Sequence, residues 1–174
     1  ARLPHLNIDT LRGNVNTRLR KLDEGQYDAI LLAAAGLKRL GFEKRITALL
    51  EPEESLPAVG QGALGIEIRS GNPELAALLA PLNDPETAAC VLAERAMSRR
   101  LQGGCQAPIG GFAVARGDRI LLRAFVADLE GIRFFRAVAE GPLDAPEHVG
   151  LAAAEDLIGQ GADRLLAELI HRTQ

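Results

Sequence analysis

From Thr87 to Gln102 the chain runs sixteen residues without a glycine or a proline, directly after Asp84-Pro85-Glu86, and that stretch restricts the fold more than any other feature. Asp84 suits an N-cap, Pro85 the first helical position and Glu86 the positive end of the helix, so the sequence predicts a helix ending at about Leu101, stopped by Gly103 and Gly104. Three runs follow, Gly110–Ala115, Arg119–Ala127 and Ile132–Ala139, separated by Gly117-Asp118 and by Asp128–Gly131. They read as an antiparallel meander, in which Arg116-Gly117-Asp118 is a hairpin turn and nothing more. Pro146–Gly159 and Ala162–His171 are amphipathic at helical spacing and would cover one sheet face. Residues 82–174 are therefore expected to form a small α+β domain with a three-stranded antiparallel sheet and covering helices.

The earlier residues read differently. Leu6–Asp9 looks like a strand, and Asn14 is placed to cap a helix to about Leu22, with Gly25 as its stop. Between them, Arg12-Gly13-Asn14-Val15-Asn16-Thr17-Arg18 sets a glycine and a helix start between two arginines, a small cradle for an anion. Tyr27–Ala33 reads as a buried parallel strand with Arg39 just beyond its carboxyl end, where ligands of open α/β sheets collect. Ser55–Gly60 looks like a crossover or hinge. Gly60-Gln61-Gly62-Ala63-Leu64-Gly65 matches a dinucleotide fingerprint, but the glycines precede Leu64–Arg69, which alternates like a strand instead of opening a helix, so NAD is rejected.

Charge is segregated. Residues 1–45 and 91–123 each carry a net +4, while 46–90 and 124–174 carry −6 and −5, for a total of −3. Solvated helix faces account for this, and so does an anion site shared by two segments. Aromatic content of 3% and an acidic total argue against nucleic acid. The longest apolar run, Ala29–Ala35, is too short to cross a membrane, and no signal peptide opens the sequence, so a cytoplasmic protein is expected. Cys90, Cys105, His5, His148 and His171 have no metal-ligand spacing. The chain begins at Ala1, close to an expected strand, which suggests that an N-terminal portion is absent.

Cys105 sits in Leu101-Gln102-Gly103-Gly104-Cys105-Gln106-Ala107-Pro108-Ile109-Gly110, a collar of small residues that leaves room for a bulky attachment. It lies past a helix C-terminus, which disfavours a thiolate, although Arg99 and Arg100 are near in sequence. Cys90 shares a helix face with Ala93 and reads as a packed core thiol. Arg95 and Arg99, one turn apart, are solvated or turned toward an anion with equal plausibility.

Four ordered blocks then point to a family: Leu11–Arg18; Ala29–Gly41; Leu56-Pro57-Ala58-Val59-Gly60-Gln61-Gly62-Ala63; and Glu94-Arg95-Ala96 ahead of Gly103–Gly110. Together they resemble the porphobilinogen deaminases, also called hydroxymethylbilane synthases. The resemblance implies a transferase of haem biosynthesis that deaminates four porphobilinogen molecules and joins them into hydroxymethylbilane. Its primer is a dipyrromethane cofactor held as a thioether on Cys105. It implies Arg12, Arg18, Arg39 and Arg95 as catalytic, and Arg12, Gly13, Arg18, Gln61 and Gly62 as cofactor-binding beside Cys105. The fold implied is an incomplete periplasmic-binding-protein-like α/β portion followed by the α+β domain. Residues 1–56 would be the end of domain 2, 57–81 the hinge and return segment of domain 1, and 82–174 domain 3. The family's catalytic aspartate, in domain 1, has no counterpart here, so the chain alone should be inactive without the N-terminal half; the full-length protein is expected to be a monomer. A noncatalytic polycarboxylate-binding module is the alternative.

Overall fold

Along Arg119–Ala127 the buried side chains fall on alternate residues, Ile120, Leu122, Ala124 and Val126, and this period of two builds the sheet around which the later part of the chain packs. The computed structural model describes residues 5–102 and 107–173. The chain divides into two units, Ala1–Leu50 and Glu51–Gln174.

In the first unit, α1 (Val15–Asp23) starts as the sequence predicts, with the Asn14 side chain accepting from the Thr17 amide at 2.8 Å. A short helix, α2 (Ala34–Arg39), and a 3-10 turn (Glu43–Arg45) complete its regular structure among the described residues. The strands expected at Leu6–Asp9 and Tyr27–Ala33 do not form among the described residues, and Ile8 and Leu31 are 90% and 78% exposed. A strand exists only as a partner in a ladder, and residues 5–50 supply no neighbour for either segment.

The second unit opens with α3 (Pro73–Leu79), followed by a 3-10 turn (Ala80–Leu82), and then α4 (Pro85–Arg100). Asp84 caps α4 as expected, accepting from the Thr87 amide at 2.7 Å. Leu64–Arg69 is likewise not a strand in this structure: Leu64 is exposed and nothing among the described residues pairs with it. Gly60–Gly65 passes through turns into this irregular stretch and opens no helix.

The meander forms in the expected order, β1 (Ile109–Arg116), β2 (Arg119–Ala127) and β3 (Phe134–Pro142), with Gly117-Asp118 closing a two-residue hairpin. β3 begins two residues later than the expected Ile132 for a local reason. The Asp128 carboxylate takes the amides of Ile132 and Arg133, at 2.7 and 2.9 Å, and keeps both out of the ladder. Helices α5 (Pro146–Gly159) and α6 (Ala162–Thr173) pack with α4 on one sheet face. The core joins Ala93 and Met97 of α4, Ile120, Leu122 and Val126 of β2, Ala153 and Leu157 of α5 and Leu165 of α6. Gly150 sets the spacing of α4 and α5, since a Cβ there would stand 2.1 Å from the Ala93 carbonyl oxygen. Arg99 to Glu147 and Arg100 to Glu155 add ion pairs between the same two helices. No helix of the described residues is long and apolar enough to cross a membrane.

Candidate functional site

Gly13, at φ +122°, turns the chain into α1 through backbone space that other residues rarely adopt. One turn into the helix, Arg18 folds back and its Nε donates to the Gly13 carbonyl at 2.7 Å, so Arg12, Gly13 and Arg18 gather at one corner. No acid lies in the first turn of α1 to neutralise them. Arg39 differs from the expectation: it sits in the last turn of α2 and not beyond a strand, where its charge complements the helix end.

The second unit holds the other candidates. Gln61 and Gly62 follow two successive tight turns, in which the Gln61 amide donates to Ala58 at 3.0 Å and the Ala63 amide to Gly60 at 3.3 Å; both residues are exposed. Arg95 projects from the exposed side of α4. Arg99 is committed to Glu147, which separates the two arginines that sequence alone left equivalent. Cys105 lies outside the described residues. Its flanks are described: α4 ends at Arg100 with Leu101 buried, and β1 starts at Ile109. Beside the second flank, a groove of about 320 Å³ is lined by Leu56–Ala58, Ala107–Gly110 and Phe125, with Asp128 at its margin.

Cys90 is half-buried against the core, as expected of a packing thiol. Burial pushes its pKa up, the nearby Glu94 charge adds to this, and the Ala115 amide bonding to it opposes both.

Glu94 is the residue that sequence reasoning missed. It is 5% exposed, and its two oxygens accept from the Gly60 amide at 2.7 Å and the Ala113 amide at 2.8 Å. Burial raises its pKa, while the two amide hydrogen bonds pull the other way. The available signal was its position: residues 90, 93, 94 and 97 share one helix face, and an acid set among Cys90, Ala93 and Met97 has to find donors.

The arginines separate into two groups. Arg20, Arg45, Arg99, Arg100, Arg119, Arg123 and Arg133 each meet a carboxylate. Among the described residues, Arg12, Arg39, Arg69, Arg95, Arg116, Arg136 and Arg164 form no ion pair, Arg136 lying over the Phe134 ring, and Arg18 bonds only a backbone carbonyl. Planar guanidiniums with no acid beside them, as at the Arg12-Gly13-Arg18 corner, suit a ligand that carries carboxylates, as a dipyrromethane does.

What the fold defines is a sheet-and-helix domain preceded by an arginine-bearing segment. Two family models match it: "Porphobilinogen deaminase, dipyromethane cofactor binding domain" over residues 1–77 and "Porphobilinogen deaminase, C-terminal domain" over residues 88–159. Porphobilinogen deaminase of Thiobacillus denitrificans is 62% identical over 169 residues, 97% of this chain and 55% of the relative. That of Methylobacillus flagellatus is 57% identical over 171 residues, 98% of this chain and 55% of the relative. The Bordetella parapertussis protein of the same name is 57% identical over 98% of this chain and 54% of its own length. The chain belongs to the porphobilinogen deaminase family, and it spans about 55% of the length of these relatives.

Proposed function

We propose that this chain supplies the anion-binding and primer-bearing part of a hydroxymethylbilane synthase, a transferase that joins four porphobilinogen molecules into a linear tetrapyrrole. The observation that carries this reading is the corner where Gly13, at positive φ, brings Arg12 and Arg18 to the start of a helix with no acid in its first turn, in a family whose matched domain is described as binding a dipyrromethane. When bound, that group supplies the pyrrole carbon from which the chain grows. Cys105 is proposed to hold it as a thioether, which forms once and persists through turnover. Arg12 and Arg18 take its acetate and propionate groups, with Gly13 allowing close approach of the backbone, and Gln61 and Gly62 border it from the crossover turn. Arg39 and Arg95 receive the carboxylates added as the chain lengthens. Each charge-assisted hydrogen bond contributes about 1.5–3 kcal/mol, so loss of one arginine should hinder primer loading or stall elongation.

The domain scheme of the sequence reading belongs to the same proposal. Residues 1–56 end one periplasmic-binding-protein-like α/β domain, 57–81 return to another, and the exposed runs at Leu6–Asp9, Tyr27–Ala33 and Leu64–Arg69 become strands when neighbours are provided. Those neighbours, and the acid–base aspartate, come from the N-terminal half of the enzyme. The complete protein acts in the cytoplasm as a monomer, and this chain alone is inactive.

The test mixes residues 1–174 with a separately prepared N-terminal portion of the Thiobacillus denitrificans relative and follows tetrapyrrole formation, together with the intact mass of the chain. A dipyrromethane-sized addition that Cys105→Ser abolishes and Cys90→Ser spares supports the reading. Brisk turnover by the isolated chain contradicts it. A bare thiol in an active mixture rules out the tether, and polycarboxylate binding without turnover leaves a noncatalytic anion-binding module in its place.

A further inference from the structure

β1 is an edge strand, since β2 pairs with only one of its sides. The outward amides of an edge strand need partners, and two of them are supplied from outside the sheet. The Gly111 amide donates to the Pro57 carbonyl at 3.0 Å and the Ala113 amide to Glu94 at 2.8 Å. Ala58 adds a single antiparallel bridge to Gly110, and Glu53 pairs with Arg123 of β2. Residues 53–60 therefore lie as a strap along the sheet, and Glu94 bonds both the strap and the strand.

The position of Glu94 gives these bonds a consequence. α4 leads into the segment that carries Cys105 and β1 leads out of it, while Gly60 leads directly into Gln61-Gly62. We propose that Glu94 is a positioning residue, whose carboxylate ties the Gly60–Gly62 turn to both flanks of the Cys105 segment and so sets where that turn stands for the primer. This rests on the functional reading above. The bonds also join the two regions that the family models match separately, Gly60 in the first and Glu94 and Ala113 in the second. Cys90 provides the contrast: it shares the helix face of Glu94 and packs against the core without tying the strap to the strand.

Two measurements test this. In residues 1–174, Glu94→Gln keeps the size of the side chain but offers one acceptor oxygen to two amides. Amide hydrogen exchange at Gly60 or Ala113 should accelerate about tenfold or more, with the β2 core amides unmoved. In a full-length protein made by joining the unmatched N-terminal portion of the Thiobacillus denitrificans relative to this chain, Glu94→Gln should lower the fraction carrying the primer. It should also raise KM for porphobilinogen about tenfold, with a smaller change in kcat. Cys90→Ala should leave loading and KM at parental values. Unchanged exchange overturns the joint, and parental loading and KM in Glu94→Gln overturn the positioning role. An equal loss in Cys90→Ala assigns the effect to the packing of that helix face and likewise defeats it. Failure of the parental joined protein to load any primer sinks the functional reading instead, a result distinct from these because the exchange measurement stands by itself. Should Glu94→Gln not fold, Glu94→Asp decides by the same readouts, because it keeps the charge while its shorter side chain draws the carboxylate back from the Gly60 and Ala113 amides.

Discussion

Residues 5–50 and residues 51–173 use the same components, apolar runs, side-chain-capped helices and arginines, and end in different states. In the later region Leu122 is fully buried and the arginines of the sheet and of α4 mostly meet acids. In the earlier one Leu31 is 78% exposed, and while Arg20 and Arg45 meet acids, Arg12, Arg18 and Arg39 meet no carboxylate among the described residues. Local interactions are complete in both: Asn14 caps α1 as Asp84 caps α4. The difference lies in long-range pairing, which the later region supplies to itself from α4 onward and which the earlier one, like Leu64–Arg69, does not receive among the described residues.

The largest contrast should come from matched truncations. Leu122→Ala removes a side chain enclosed by the core and is expected to cost about 2–5 kcal/mol in urea unfolding, whereas Leu31→Ala in this chain should change stability by less than about 0.5 kcal/mol. In the joined full-length protein Leu31→Ala should become costly as its strand gains neighbours. Equal, small effects in both settings would remove the case for a strand at Tyr27–Ala33. Gly150→Ala comes next, at about 3 kcal/mol, because the added methyl meets the Ala93 carbonyl and the Met97 amide, backbone atoms that shift only if α4 moves away from α5.

What the sequence disclosed follows the same division. The start of α4, the hairpin at Gly117-Asp118 and the two final helices were legible because caps, turns and periodicity are decided within a few residues. Leu6–Asp9, Tyr27–Ala33 and Leu64–Arg69 do not form the expected strands among the described residues, because β propensity says nothing about whether a neighbour is present. The late start of β3 was hidden in one side chain, Asp128, competing with the ladder for two amides. Of the site, the Arg12-Gly13-Arg18 corner could be read from a glycine beside a helix start. The role of Glu94 required knowing which strand α4 packs on, and nothing local to Glu94 names Gly60 or Ala113 as its donors.

Acid should act on the later region with two opposing signs. Asp128, held below the usual carboxylate range chiefly by the Arg133 amide, and Asp84, held below it by Thr87, contribute stability above their unfolded pKa near 4, and that contribution disappears as pH falls through the lower folded values. Glu94 works in reverse: its folded pKa is raised, so its contribution is greatest below its ordinary value and declines as pH rises through the raised one. Asp128→Asn should therefore flatten the acid limb of a stability-against-pH profile, and Glu94→Gln should steepen the net loss by deleting the opposing term. A smaller effect is expected at the cap of the earlier region, where Asn14→Ala should cost about 1 kcal/mol, read as lost helicity near 222 nm. No loss of helicity would mean that α1 is held by something other than its cap.

The smallest stability changes should belong to the arginines, and they separate the regions most cleanly. Arg119→Ala breaks an exposed pair with Glu140 and should alter stability by no more than about 0.5 kcal/mol. Arg12→Ala breaks no ion pair among the described residues and should leave unfolding unchanged within the same margin. The two should diverge when a polycarboxylate is offered. Isothermal titration of the joined, primer-bearing protein with porphobilinogen should show weaker binding, about tenfold or more, for Arg12→Ala and parental binding for Arg119→Ala, with the Arg12 effect shrinking as salt is raised. If Arg12→Ala destabilises the fold yet binds normally, the guanidinium has a structural partner, and the distinction between arginines held inside the protein and arginines held open for a ligand no longer stands.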